Sequence, residues 1–225
     1  MKKYHFIRSR FIKKNSEENE DVIPEKIRLP KNLFVTGTVN IDETTYMFSP
    51  KVLDRSNVVE FKPEKDDVLG LMTGAGDVNI IKAADIGVAE GFTALAAEIR
   101  NGVCNIDMDV LDQVRLFLDG IYEELQESGF EFAYRTVKEI RQYFSAAYEL
   151  QKEEFNLTRT LDEQIVQKIL PKIYGDRKQI GELLNTLEAK CKNGIGKSSE
   201  EMTLSLKKIE QMKKRLDKYQ YASFM

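Results

Sequence analysis

The chain has 225 residues, of which 42% are hydrophobic, enough for a packed core in one domain or two small ones. Its formal charge of -3 comes from 34 Lys and Arg residues against 37 Asp and Glu residues, so nucleic-acid or acidic-membrane binding would require a local patch. No apolar run approaches the ~20 residues of a membrane span. Two distant cysteines with a single histidine indicate neither a disulfide framework nor a zinc site, which fits a reducing cytoplasm.

The first predicted elements are two short strands with a short helix between them. Residues 33–39 are apolar and β-branched, which predicts a strand buried on both faces. Asn40 follows at its carboxyl end, where open α/β sheets bind their ligands. A Ser-Pro pair predicts the start of a short helix over residues 50–54 that ends near Arg55. Residues 58–61 predict the second strand.

Helix signals dominate the remainder of the chain. Residues 62–77 combine acidic residues, glycines and a proline, which predicts a linker and a domain boundary. The alanine-rich run 83–100 predicts a helix, and Asp109 predicts the N-cap of a longer amphipathic helix that ends near Gly129. The tail, residues 219–224, is compatible with a docking strand or with a disordered end.

Capping-box patterns predict where the following helices begin. In each pattern, a Ser, Thr or Asp is followed three residues later by Glu or Gln, and both side chains satisfy unpaired amides of a first helical turn. Apolar residues recur at helical spacing after each pattern, so residues ~105–218 are expected to form a compact helical bundle. The four pairs are Thr136 with Glu139, Thr160 with Glu163, Asp176 with Gln179, and Ser198 with Glu201.

Two segments resemble nucleotide-binding motifs without meeting their requirements. Residues 194–199, GIGKSS, look like the end of a phosphate-binding loop, but the full pattern requires a glycine where Cys191 stands. The sequence Leu161-Asp162-Glu163 resembles the end of a magnesium-binding strand, yet it lacks the preceding apolar residues. We interpret the first as a helix connection and the second as part of a helix cap. The chain alone is therefore expected not to hydrolyse nucleotide.

Three polar residues stand where a nucleotide-handling site would need them. Asn40 can hydrogen-bond a water molecule or a γ-phosphate oxygen without adding charge, and Arg55 can project a guanidinium towards a neighbouring subunit. Arg135 precedes the predicted cap Thr136, beside a helix amino end that favours anions. Each also has an ordinary interpretation, as a turn residue for Asn40 and a surface ion pair for an arginine beside an aspartate.

Residues 30–61, with the motifs GTVN, DETTYMFSPKVLDR and NVVEF, closely resemble the second half of the AAA+ core of McrB-like ATPases. These are the nucleotide-driven subunits of modification-dependent restriction systems. The later segments FEFAYRTVKEI and ILPKIYGDR are similar to the helical lid of that group. The resemblance implies that Asn40 is the sensor-1 residue, Arg55 the candidate arginine finger acting on the next subunit, and Arg135 the sensor-2 arginine.

The resemblance implies a fold that is α+β to mainly α, with a partial α/β AAA+ core followed by a helical lid. The implied divisions are residues 1–65 for the partial core, 66–108 for a linker or insertion, and 109–225 for the lid. Family members place the phosphate loop (Walker A) and the acidic strand (Walker B) before the sensor-1 strand, and only 32 residues precede that strand here. The chain thus looks like the carboxyl-terminal part of such an ATPase, as a split gene, a truncation or a partner in trans.

The implied cofactor is ATP or GTP with Mg, bound only together with the missing amino-terminal half and not by this chain alone. The implied partners are that half or neighbouring AAA+ subunits in a homo-oligomer, a McrC-like nuclease subunit, and DNA indirectly, with no membrane. A non-enzymatic helical interaction module is the alternative function. A nucleic-acid binder that uses the basic start and the lysines of residues 207–215 is a third. An incomplete sheet would also expose its edges and favour dimers or poor solubility.

Overall fold

The computed structural model describes Leu33 and residues 35–38, 48–61, 65–70, 72, 87–196 and 200–224. The chain divides into two compact units, Met1–Thr38 and Val39–Met225, and the second unit contains all of the helices and strands given below. The described residues are mostly helical with one two-stranded sheet, which confirms the mainly α fold class. The AAA+ core and the three-part division of the chain stay predictions.

The two predicted strands of the partial core are wrong at the positions that the structure describes. Leu33 and residues 35–38 adopt no regular structure, and Val35 is 89% exposed instead of buried. Residues 58–61 are also irregular, and the amide of Val58 donates to the carbonyl oxygen of Gln167, in a helical region, at 3.2 Å. A β-branched run becomes a strand only where a neighbouring strand completes its ladder, and neither segment has such a neighbour among the described residues.

The short elements before the bundle largely follow their local signals. Helix α1 (Pro50–Leu53) starts after Ser49 with proline in its first turn, as predicted, and Asp54 follows as its C-cap. Helix α2 (Lys65–Gly70) lies inside the predicted linker, so that segment is not wholly irregular. Helix α3 (Val88–Arg100) matches the predicted alanine-rich helix and begins at a glycine N-cap.

Helix α4 (Met108–Glu127) is the long amphipathic helix that the sequence predicts, with a different capping residue. The side chain of Asp107 accepts a hydrogen bond from the amide of Asp109 at 3.0 Å, so Asp107 and not Asp109 is the N-cap. The helix ends as predicted, because Gly129 adopts a φ of 76° and the amide of Phe130 donates to the carbonyl of Leu125 at 2.7 Å.

Of the predicted capping boxes, one is confirmed in its N-cap half and two are wrong. Asp176 accepts from the amide of Gln179 at 2.9 Å and starts helix α7 (Arg177–Asn193). Helix α5 (Tyr134–Gln151) instead begins before Thr136, and helix α6 (Leu157–Gln164) begins before Thr160. Both threonines are buried: Thr136 donates to Asp54, which is distant in sequence, whereas Thr160 donates to the carbonyl of Asn156, the N-cap of its own helix.

Ser198 of the fourth box lies outside the described residues. Helix α8 (Thr203–Tyr219) starts after Met202 and not at Ser198. Its first amides are satisfied by a carboxylate from α6, which is described with the site below.

The bundle core is formed by the apolar faces of helices α4 to α8. After α6 the chain continues through a π-helical turn (Ile165–Ile169) and a short 3₁₀ helix (Leu170–Lys172) into strand β1 (Tyr174–Asp176). Strand β2 (Tyr221–Ser223) pairs antiparallel with β1, with Tyr174 opposite Ser223, so the tail is a docking strand. Fully buried side chains include Ile121, Leu125, Phe144, Leu161, Leu170, Ile180, Leu184, Ile209, Met212 and Phe224.

Candidate functional site

Residues 50–60, here called the docked segment, lie against the helical bundle and bring Arg55 to it. Leu53 of α1 is buried, and Val58 packs against the bundle core. Three residues of the segment also make polar contacts with lysine side chains of the bundle: Asp54 with Lys172, Ser56 with Lys168 and Glu60 with Lys208. The segment is therefore fixed to the bundle through three lysines of low exposure.

The first contact joins α1, α5 and the 3₁₀ helix. The Nζ atom of Lys172 donates to Asp54 Oδ1 at 2.9 Å and lies 3.1 Å from the Oγ1 atom of Thr136. The Thr136 hydroxyl donates to the same carboxylate oxygen at 3.2 Å. The hydrogen bond from Lys172 lowers the pKa of the Asp54 carboxyl below its ordinary value, and Thr136 and the charge of Arg135 act in the same direction. Asp54 is thus a fully ionised carboxylate at neutral pH.

The second contact is a buried ion pair. The side chain of Lys168 is 1% exposed, and its ammonium group donates to a carboxylate oxygen of Glu139 on α5. The same group donates to the backbone carbonyl of Ser56 at 2.9 Å. A buried ammonium without such partners would be costly, so the Glu139 carboxylate and the docked segment together make the position of Lys168 tolerable.

The third contact links the docked segment to the tail. Lys208 of α8 donates to Glu60 at 2.7 Å and lies 4.0 Å from the centroid of the Phe224 ring. A cation over an aromatic face is attracted by the ring quadrupole, more strongly when both are desolvated. Phe224 is buried next to strand β2, so one lysine holds both the docked segment and the chain end.

The sequence predicts Arg135 just before the start of a helix. In the structure it lies within the first turn of α5. Ala133 occupies the N-cap and supplies no side-chain hydrogen bond, while the amide of Thr136 donates to the carbonyl of Ala133 at 2.9 Å. At this helix end, the amides of Tyr134 and Arg135 are therefore the ones without a side-chain acceptor from the N-cap. Arg135 is half-buried, and its charge acts on Asp54. Among the residues that the structure describes, its guanidinium makes no hydrogen bond or ion pair.

Arg55 is exposed immediately after the C-cap of α1. Its backbone amide donates to the carbonyl of Val52 at 3.0 Å, while its guanidinium is without a bonding partner in the part of the chain that is described. Asp54, the residue before Arg55, bonds to Thr136, the residue after Arg135. Asn40, the third candidate from the sequence, lies outside the described residues.

The sequence Leu161-Asp162-Glu163 is helical and holds no nucleotide motif. The buried carboxylate of Asp162 accepts from the amides of Leu204 and Ser205 at 2.7 and 2.8 Å, which caps α8 from a different helix. Burial raises the pKa of Asp162 above its ordinary value, although these hydrogen bonds oppose that shift. Glu163 accepts from the hydroxyl of Tyr143 at 2.6 Å instead of closing a capping box.

An apolar groove of about 670 Å³ runs between α4 and α5, and neither Arg55 nor Arg135 lines it. Leu118 and Tyr122 line it from α4, and Tyr134 and Val137 line it from α5. The 3.6-residue period of the helix puts Arg135 on another side of α5 than Tyr134 and Val137. The groove and the surroundings of Arg135 are therefore separate features of the bundle.

The lysines of α8 face carboxylates. Lys213 lies 2.5 Å from Glu188, and Lys214 lies 2.6 Å from Glu210. These contacts favour an ordinary ion-paired surface over the predicted nucleic-acid patch at residues 207–215. Within the described ranges, no group of three or more metal-ligating side chains is present. A search of the same residues for a helix long and apolar enough to cross a membrane gives none.

Sequence reasoning missed the three lysines and the role of Asp54. Lys168 and Lys172 stand in the mostly apolar run Ile165 to Ile173, where a charged residue is expected to be buried with a partner. That signal shows that a partner exists but not which one, since Asp54 and Glu139 are far away in sequence.

The chain belongs to the family described as Domain of unknown function (DUF8727), whose model matches residues 88–221. The match covers more than half of the chain and includes the bundle with Arg135, Lys168 and Lys172. It leaves out Asn40 and Arg55. No curated protein and no solved structure matches the chain.

Proposed function

We propose that this chain is the sensor and lid portion of a McrB-like AAA+ NTPase in a DNA restriction or phage-defence system. It acts on ATP or GTP with Mg together with an amino-terminal half that supplies the phosphate loop and the acidic strand. Arg135 acts on the nucleotide in cis, and Arg55 acts on the nucleotide of the next subunit in a cytoplasmic homo-oligomer. A McrC-like nuclease subunit and DNA are the further partners.

The observation that carries the proposal is that the guanidiniums of Arg55 and Arg135 make no hydrogen bond or ion pair among the described residues. Arg55 and Arg135 are 80 positions apart in sequence, and the docked segment brings Asp54, which precedes Arg55, into contact with Thr136, which follows Arg135. A guanidinium offers five donors in a fork that matches phosphoryl oxygens, and its loss from a transferring site costs several orders of magnitude in rate. The amino end of α5 has no side-chain cap, and the helix dipole there favours an anion near Arg135.

The proposal also requires that this chain alone does not hydrolyse ATP or GTP. The sequence contains no complete phosphate loop, because Cys191 stands where the glycine is needed, and Cys191 is buried within α7. The first experiment therefore incubates the purified chain with ATP or GTP and Mg. We expect no release of phosphate above background, and turnover by the chain alone would contradict the proposal.

The second experiment adds an ATPase half that contains Walker A and Walker B motifs and measures nucleotide turnover of the assembled complex. Arg55→Ala is expected to reduce turnover roughly a thousandfold or more, as for other arginine fingers. Arg135→Ala is expected to reduce it as well. Arg177→Ala is the matched control, because Arg177 is an exposed arginine that already pairs with Asp217. Equal turnover in all three variants would contradict the proposed roles.

A specific observation favours a second candidate, a non-enzymatic helical interaction module. The family match covers the bundle but includes neither Asn40 nor Arg55. The groove between α4 and α5 offers such a module an apolar contact surface. This candidate predicts that Arg55→Ala and Asn40→Ala leave both the association with a partner ATPase and its turnover unchanged.

A further inference from the structure

The second half of the docked segment alternates between the bundle and solvent with a period of two residues. Asp54 bonds to Lys172, Val58 packs against the bundle core, and Glu60 bonds to Lys208. Residues 56–61 contain no helix, turn or bend. A two-residue period along such a segment is the pattern of a β-strand. The odd-numbered residues of the segment are all exposed, and they are Arg55, Asn57, Val59 and Phe61.

The main-chain groups of the segment follow the same alternation. The carbonyl of Ser56 accepts from Lys168 at 2.9 Å, and the amide of Val58 donates to the carbonyl of Gln167 at 3.2 Å, so both face the bundle. In a strand, the backbone groups of successive residues point to opposite edges. The odd-numbered residues from 57 to 61 therefore direct their amides and carbonyls away from the bundle. None of these groups is hydrogen-bonded to a residue that the structure describes.

We propose that this outer edge of residues 57–61 pairs antiparallel with the same edge of a second copy of the chain. An unpaired row of backbone donors and acceptors is a template for another strand, and each copy carries an identical row. A two-fold axis at Val59 sets Val59 opposite itself and Asn57 opposite Phe61. Each of these opposed residues then has its backbone groups on the shared edge.

The surroundings of the edge fit a second copy as its occupant. The contacts of Ser56 and Val58 with the bundle use the opposite edge, so the two bundles lie on the outer sides of the paired segments. Val59 is 59% exposed and packs against its own copy in the pair, and no like charges stand directly opposite within the row. The pairing supplies the neighbouring strand that residues 58–61 lack among the described residues.

The pairing goes beyond the proposed function and does not depend on it. Arg55 lies outside the ladder, because its amide already donates to the carbonyl of Val52 at 3.0 Å. Its guanidinium is therefore not used by the interface. If Arg55→Ala left the turnover of an assembled ATPase complex unchanged, the catalytic role would fail and the interface would stand.

The first test is the mass of the intact chain as a function of its concentration, measured by sedimentation velocity. A ladder of this length is short, so we expect a weak dimer whose fraction grows as the concentration approaches about 1 mM. Val59→Pro removes the amide that donates across the two-fold axis and is expected to weaken association roughly tenfold or more. Val59→Ile is the matched control, because it keeps both the amide and the branched side chain.

The proline variant is expected to fold like the original chain. The amide of Val59 bonds to no described residue in the single copy, and a proline favours an extended conformation of the residue before it. Circular dichroism checks the fold. Val59→Ile is expected to dimerise like the original. Equal association of the proline and isoleucine variants would overturn the proposal, because side chains alone would then hold the copies together.

The second test locates the pairing by amide hydrogen exchange of the full chain, followed by NMR. Raising the concentration is expected to slow exchange at Asn57, Val59 and Phe61 more than at Val58, whose amide faces its own bundle. A chain that remains monomeric up to about 1 mM would overturn the proposal. Slowing that occurs only after an ATPase half is added would also overturn it, since the edge would then bind a strand of that partner.

Discussion

The carboxylate of Asp162 on α6 lies 2.7 Å from the amide nitrogen of Leu204 in the first turn of α8. It also accepts from the amide of Ser205 at 2.8 Å, so one side chain satisfies two of the open amides of a helix to which it does not belong. The N-cap position of α8 is occupied by Met202, which offers no oxygen in its side chain. Asp162 therefore joins two helices of the bundle through a cap.

Asp162→Ala is expected to destabilise the protein by about 1–3 kcal/mol. The substitution removes a cap and leaves buried amides of α8 without acceptors, and both losses fall in this range. Urea unfolding followed by circular dichroism measures the change. Asp119→Ala, on the exposed side of α4, is the control and is expected to stay within about 0.5 kcal/mol of the original protein. Equal stability of both variants would show that α8 does not depend on the cap.

Lys168→Met is expected to cost about 2–4 kcal/mol, because it leaves the Glu139 carboxylate and the Ser56 carbonyl without their donor. The double variant with Glu139→Gln is expected to recover part of that loss, since the unpaired charge is then removed. A double-mutant cycle in urea provides the coupling energy. A double variant that is less stable than Lys168→Met alone would contradict this account of the pair.

Tyr143 gives the protein a distinct sensitivity to alkaline pH. Burial, together with the hydrogen bond to Glu163, raises the pKa of Tyr143 to about 12, whereas the unfolded chain has the ordinary value of 10.0. A raised pKa contributes stability that is fully present below pH 10 and is lost as the pH rises towards 12. Tyr143→Phe is expected to flatten this part of the pH dependence of the unfolding free energy. An identical slope in both proteins would contradict the assignment.

The two cysteines are expected to react with iodoacetamide at very different rates. Burial raises the pKa of Cys191 to about 12, so its thiolate is nearly absent at neutral pH. Burial also acts to raise the pKa of Cys104, but hydrogen bonds from Ser145, Ile106 and Arg141 bring it below the ordinary value. Alkylation at pH 7 and 8, followed by mass spectrometry, is expected to modify Cys104 first. Faster alkylation of Cys191 would contradict the burial of α7.

Local sequence patterns predict a helix well where neighbouring residues of that helix are enough to specify its apolar face or its first turn. The apolar stripe of α4, the Asp176 cap of α7 and the Ser-Pro start of α1 are each complete within a few residues, and each is found as predicted. The mainly helical class follows from the same signals. These features need no information from distant parts of the chain.

The features that failed are those that depend on a partner far away in sequence. Thr136 has the composition of a cap, but it bonds to Asp54, which is 82 positions away. Residues 58–61 have β-branched composition, yet the segment packs on helices and forms no ladder. The cluster around Asp54 joins residues up to 118 positions apart, and no local pattern contains that information.

The contact between Glu60 and Lys208 spans 148 positions of the chain, which has a kinetic consequence. Closing so large a loop loses much chain entropy before the contact forms, so it follows the local pairing of the helices. The docked segment is therefore expected to fold last and to open first, as a cooperative unit with its own free energy below that of global unfolding. The amide of Val58 should accordingly exchange with solvent deuterium faster than the amides of α7.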